Sequence, residues 1–169
     1  AYEIGVRLVD SEMCIRDRKY RGLVNKRRTT LELGEAYDFI ETGVKPELQD
    51  YMNGQVLNEL EYCLNLYDLE PKVYIAYDRL AYFEKGNDDL RISFDTNIRT
   101  RRSDLLLESG DHGKRLLDSD VWLMEIKTSL AKPLWLCEML SEFEIRSSSF
   151  SKYGTEYKNM MARQKEMPK

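Results

Sequence analysis

The chain has 169 residues, a third of them charged, and a formal net charge of -4, which suits one soluble domain near the commonest domain size. It holds no apolar run of roughly 18 residues or more, which excludes a helical membrane span. Its three cysteines, Cys14, Cys63 and Cys137, form no CxxC pair; neither a zinc site nor a disulfide framework is indicated, and a reducing, cytoplasmic compartment is the default. Charge is unevenly placed: Lys26, Arg27, Arg28, Arg99, Arg101 and Arg102 form basic patches, whereas residues 32–68 are rich in Asp and Glu. Distribution therefore says more about partners than the total does.

The opening AYEIGVRLVDSEMCIRDR includes a strand-like VRLV. As a whole, however, it resembles the conceptual translation of a sequencing-library adapter, in which LVGSEMCIRD is the usual run; Asp10 replaces the Gly and SEMCIRD is intact. Such segments are set aside before fold reasoning. On that reading residues 1–18 are an artefact, the natural sequence starts at about Lys19 within a domain spanning residues 19–161, and residues 162–169 form a polar tail. Strands upstream of Lys19 would then be missing.

LVNKRRTTLEL predicts a short strand ending near Thr29, with Val24, Lys26 and Arg28 on one face. A helix is expected from Thr30 through Ala36, Phe39 and Ile40, with Glu32 and Glu35 in its first turns and Gly43 ending it. Val56, Leu57, Leu60, Cys63, Leu64 and Leu66 repeat at three and four, giving a second helix closed by Pro71. From Lys72 the period becomes two. KVYIAYDRLAYF is a long strand, GNDD its turn, and LRISFD an antiparallel return with Leu90, Ile92 and Phe94 on one face and Arg91, Ser93 and Asp95 on the other. NIRTRR adds a short strand, residues 103–118 a polar loop, and VWLMEIK a further strand. In that strand Trp122, Met124 and Ile126 alternate with Leu123, Glu125 and Lys127. A helix over residues 133–143, with Trp135, Leu136, Met139 and Leu140 as its core stripe and Cys137 in a structural role beside it, precedes a terminal helix that frays after Met161.

Several strands share one oddity. Tyr77 and Arg79, Arg91 and Ser93, Glu125 and Lys127, and Lys26 and Arg28 place polar or charged pairs on one face. A solvated face would explain any one of them. For the set, apolar faces covered by the amphipathic helices and charged faces turned inward predict a closed or nearly closed antiparallel barrel with a cationic lining. Confined Arg and Lys side chains need counter-charge, and they match phosphate oxygens. Glu125 is then either a ligand for a divalent metal that bridges phosphates or an ion-pair partner of Lys127. His112, in SGDHGK, is a solvated loop residue, and no GxxxxGK[ST] phosphate loop occurs.

YDRLAYF, LRISFDTNIR, VWLMEIK and SFSKY together resemble the VTC family, the polyphosphate polymerase domain related to the triphosphate tunnel metalloenzymes and CYTH proteins. The resemblance implies an α+β fold built on an antiparallel tunnel barrel lined by basic residues. It also implies transfer of the terminal phosphate of ATP to a polyphosphate chain, with Mn2+ or Mg2+ as cofactor. Lys26, Arg28, Tyr77, Ser151 and Lys152 match phosphate-contacting positions, as do Arg79 and Arg91, which with Lys127 are the catalytic cations; Glu125 matches the metal carboxylate. Ser149 stands where some members carry a lysine, and the family's opening ExExK-like strands would precede Lys19. With about half a tunnel lining, the chain is expected to be inactive alone. ATP and polyphosphate are the expected partners; nucleic acid is not, and a membrane-protein partner would leave no trace in the sequence. A tunnel-fold triphosphatase is the nearest alternative. A polyphosphate or inositol phosphate binding module is another, favoured if Glu125 only pairs with Lys127.

Overall fold

The change of hydrophobic period near Pro71 coincides with a division of the chain into two compact units, Ala1–Lys72 and Val73–Lys169. The computed structural model describes residues 3–7, 12–16, 26–129 and 131–166. Among these residues no helix is long and apolar enough to cross a membrane.

In the first unit, β1 (Glu3–Arg7), β2 (Glu12–Arg16) and β3 (Lys26–Thr30) form an antiparallel sheet in that order. β1 and β2 fall within residues 1–18, and β2 pairs with β3 so that Cys14 lies opposite Arg28. Val24 lies outside the described residues. Helix α1 (Leu33–Thr42) starts three residues later than the spacing predicted, because Thr30 still belongs to the β3 ladder. The Glu35 carboxylate accepts the Glu32 backbone N–H at 3.1 Å, as in a capping box. Gly43 closes α1 in the left-handed region, with φ of 70°. Helix α2 (Gly54–Leu66) is capped by Asn53, whose side chain accepts from Val56 N–H at 3.2 Å. Thr29 Oγ1 accepts the Asn53 N–H at 2.9 Å and so ties β3 to that cap. Leu31, Ala36, Phe39, Met52, Val56, Leu57 and Leu60 make the core, with Ile40 and Leu64 against it.

The second unit is built on the hairpin of β4 (Tyr74–Glu84) and β5 (Asn87–Arg101). Its turn is Lys85–Gly86, earlier than the expected GNDD, and Gly86 supplies the positive φ of 79°. NIRTRR is no separate strand; all but its last residue continues β5. With β4 along one edge, β5 takes β7 (Leu123–Lys127) and the short β6 (Lys114–Arg115) along the other. Helices α3 (Leu134–Glu142) and α4 (Lys152–Glu166) follow, so the chain stays helical beyond Met161.

A bulge in β5 sorts its residues. Ala76 pairs with Arg99 and Asp78 with Thr96, so Asn97 and Ile98 together oppose Tyr77; Asn97 takes φ of 49° to allow it. Beyond the bulge, the buried Ile98 and Thr100 take over the face that Ser93 and Asp95 hold before it. Arg99 and Arg101 therefore turn to the other face. Arg101 donates to the carbonyls of Asp104, Leu106, Gly110 and His112 and lies 3.6 Å over the Tyr74 ring, which pins the 102–113 loop. Gly113 permits that loop to close, since a Cβ there would sit 2.9 Å from the Thr100 carbonyl oxygen.

Two expectations are corrected. The described strands make an open antiparallel sheet, not a closed tunnel barrel: it is three strands wide at any point, well short of the roughly eight strands that allow ordinary closure. Nor does the apolar face alone carry the burial, although Leu90 is buried. Leu80 and Tyr82 are half or more exposed, whereas Ser93 and Asp95 on the polar face are almost wholly buried. The stripe assigned to α3 also fails, since only Leu136 is buried while Trp135 and Met139 are exposed; Cys137 is exposed as well.

Leu60 is fully buried among α1, α2 and Leu31. Leu60→Ala should lower the unfolding free energy by about 2–5 kcal/mol, read as a fall in the urea midpoint at unchanged slope.

Candidate functional site

The site is written by strand register. β4 and β5 set Arg79 opposite Asp95 and Phe83 opposite Arg91; β5 and β7 set Ser93 opposite Glu125 and Arg91 opposite Lys127. Directly opposed residues in an antiparallel ladder share a face. Tyr77, Arg79, Arg91, Glu125 and Lys127 therefore stand on one side of one sheet.

Asp95 is the centre of this face. Only 2 % exposed, its carboxylate accepts Arg79 Nε–H at 2.6 Å and Nη2–H at 2.8 Å, and its Oδ2 also accepts Lys152 Nζ at 2.7 Å. Both cations lean on Tyr77, Lys152 Nζ at 4.4 Å and Arg79 Cζ at 5.0 Å from the ring centroid, close enough for cation–π attraction. Arg79 Nη2 lies 3.9 Å from Glu125 Oε2, and Lys127 Nζ 3.4 Å from Glu125 Oε1. Arg91 stacks over Phe83, 5.2 Å from its centroid.

Helix α4 reaches this face because Ser151 caps it. Ser151 Oγ accepts the Gly154 N–H at 3.1 Å and its carbonyl accepts the Thr155 N–H at 2.8 Å, which puts Lys152 at the first helical position. One turn on, Glu156 accepts Arg102 Nε–H at 2.8 Å and Nη2–H at 2.5 Å. The helix is thus held by two ion pairs of opposite sense.

Of the residues singled out by sequence, Tyr77, Arg79, Arg91, Glu125, Lys127 and Lys152 come together, and Ser151 adjoins them as a cap. Lys26 and Arg28 belong to the first unit. There, Arg27 pairs with Glu59 at 2.5 Å and Thr29 is buried, leaving Arg28 on the opposite, exposed side of β3. Lys26 is placed by its backbone alone. His112 is exposed in its loop, 3.6 Å from Asp104. Sequence reasoning put Asp95 on the right face but gave it no role, although the hairpin pairing with Arg79 was a usable signal. Nothing local announced Arg102 and Glu156, which are 54 residues apart.

The resemblance implies a divalent metal at Glu125. Among the described residues no group of three or more His, Cys, Asp or Glu side chains gathers to hold an ion. A single carboxylate does fit magnesium or manganese beside a phosphate ligand, where phosphate oxygens and water complete the shell.

This geometry defines an α+β protein with a cation-rich sheet face. The VTC domain family model matches residues 8–161, and the chain belongs to that family. The match runs through both units and begins inside residues 1–18. No curated protein matches the chain.

Burial pushes the Asp95 carboxyl up, but hydrogen bonds and charge from Arg79 and Lys152 outweigh it and hold it below its ordinary 3.8. The Asp95 hydrogen bond in turn holds Arg79 above its usual value. A carboxylate depressed on folding adds stability that is complete above its unfolded value and is lost as the pH falls through the folded one. The stability gap between wild type and Asp95→Asn should therefore be flat from neutral pH down to about pH 5 and close below the ordinary 3.8, as followed by urea titrations across the acid range.

Proposed function

We propose that this face binds the phosphates of a polyphosphate chain and of ATP, and that the intact family fold uses it as a polyphosphate polymerase-like phosphotransferase. The observation that carries this reading is Arg91 directly opposite Lys127, with Arg79 and Lys152 beyond them on the same face. Like charges opposed across a ladder destabilise it. Four cations on one side, with two carboxylates between them, form a surface that gains from a multivalent anion. Arginine supplies planar, paired donors to phosphate oxygens and lysine a mobile charge.

Phosphoryl transfer needs little from a protein beyond position and charge neutralisation. A terminal oxygen of the polyphosphate chain attacks the γ-phosphorus of ATP; the bond to that oxygen forms as the bond to ADP breaks. Arg79, Arg91 and Lys127 spread the negative charge that develops on the transferring group. Lys152 meets the same phosphate beside Arg79, with Tyr77 against both cations, and Ser151 positions Lys152 by capping its helix. Glu125 would hold the divalent metal, which when bound supplies Lewis-acid neutralisation.

The separation of 3.4 Å between Glu125 and Lys127 favours one second reading, a non-catalytic binding module in which that pair is structural. Incubation of the fold with ATP and Mn2+ distinguishes the outcomes. Long polymer on a gel supports the polymerase, free phosphate alone points to a triphosphatase, and binding with neither product leaves the module. Glu125→Gln should abolish metal-dependent turnover while tightening tripolyphosphate binding; unchanged turnover would remove the metal role. For the chain itself, calorimetry should show weak tripolyphosphate binding that fades as salt rises from about 0.05 to about 0.5 M. Arg91→Ala and Lys127→Ala should each weaken it about tenfold, or about 1.4 kcal/mol.

A further inference from the structure

Among the described residues, the most deeply buried ionised group of the second unit belongs to none of the roles above. Asp95 is on the cationic face, yet it is nearly inaccessible and both of its oxygens are engaged. A bare counter-ion could neutralise from the surface, as Glu125 does at Lys127. Asp95 instead grips the Nε edge of the Arg79 guanidinium, with one bond from Nε and one from Nη2. That grip uses two of the five N–H donors of an arginine. The two on Nη1 and the second on Nη2 point elsewhere. Lys152 likewise spends one donor on Oδ2 and keeps two. A single carboxylate thus brings two cations against each other and against Tyr77 without exhausting either.

We propose that Asp95 is the positioning residue of this site, acting through Arg79 and Lys152 and never touching the phosphate, so that one phosphate group is met by both cations at once. The inference rests on the phosphate-binding reading. It has a consequence opposite in sign to simple electrostatics. Removing a negative charge from a cationic face should tighten anion binding. If the acid positions the cations, its neutral isostere loosens binding despite the added net positive charge, since Arg79 and Lys152 then repel and separate.

Calorimetry of tripolyphosphate with the full chain and with Asp95→Asn reads that sign directly. At least a tenfold loss of affinity is expected, with part of it recovered in Asp95→Glu, which restores the charge one methylene away. A second measurement needs no variant. The Arg79 Nε–H resonance, followed by NMR in the wild-type protein, should remain protected from exchange when tripolyphosphate saturates the site, because the ligand uses the other donors. Equal or tighter binding by Asp95→Asn overturns the positioning role, as does loss of Nε–H protection on ligand addition, which would mean that phosphate displaces the carboxylate. Failure of the wild-type chain to bind tripolyphosphate at all overturns the phosphate-binding reading itself, and this proposal with it.

Discussion

A carboxylate withdrawn from water costs several kcal/mol unless it is fully paired, and the second unit of this protein is organised around paying that cost at Asp95. The acid is central on β5, which pairs with three other strands, and its partners come from β4 and from the start of α4. Side chain and backbone therefore converge on one point: the hairpin register delivers Arg79, and the Ser151 cap delivers Lys152. Removing either partner would leave a buried charge half compensated, so the pairing restrains both the sheet and the start of α4. Burial on the polar face is therefore concentrated around Asp95, while Leu80 and Tyr82 on the apolar face are exposed.

The sorting of cations along β5 depends on a second constraint. Without the extra residue at Asn97 and Ile98, Arg99 and Arg101 would continue the face of Arg91 and Asp95 and crowd it with positive charge. The bulge sends them to the other side, where Arg101 satisfies four loop carbonyls and Arg99 meets Asp78 and Asp111. Orientation of α4 follows from the same economy. The helix offers a cation at Lys152 and an anion at Glu156, while the sheet end offers Asp95 and Arg102 in the complementary order. A slip of one turn would bring like charges together, so the two pairs fix the register of the helix.

How much of this was legible in the sequence follows from what each feature depends on. Alternation alone paired Tyr77 with Arg79, Arg91 with Ser93 and Glu125 with Lys127 within their strands, because parity is a property of an extended chain; that the three pairs share one side needed the register of the ladders. The existence of α2 was likewise readable from the three-and-four spacing of its apolar residues, although it ends at Leu66 rather than at Pro71, and the start of α3 from Pro133. The bulge was not, since Asn97 reads as an ordinary strand residue until its pairing with Tyr77 is known. Parity would have carried Arg99 and Arg101 onto the site face for that reason. The Arg102 and Glu156 pair joins residues far apart in sequence, which no local pattern reports. The expected barrel rested on inward-turned polar faces; Ser93 and Asp95 are buried, but Glu125 and Lys127 on the same face are exposed, and closure would in any case need enough strands and a matching shear.

Burial along the face is graded, and the gradient separates two kinds of work. At one end Asp95, Lys152 and Arg79 have side chains 2 %, 21 % and 25 % exposed; at the other, Glu125 and Lys127 are 47 % and 60 % exposed. Charges at the dry end act in a lower dielectric and are held by directional bonds, so their positions are set before a ligand arrives. Those at the wet end are screened and keep their rotamer freedom, so they can follow a ligand but cannot fix it. On the proposed phosphate-binding reading, an extended polyanion would suit such a surface better than a compact one: its leading phosphate would be held between Arg79 and Lys152 while successive phosphates exchanged along Arg91 and Lys127. The buried acid, by fixing one end, allows the other to remain adaptable.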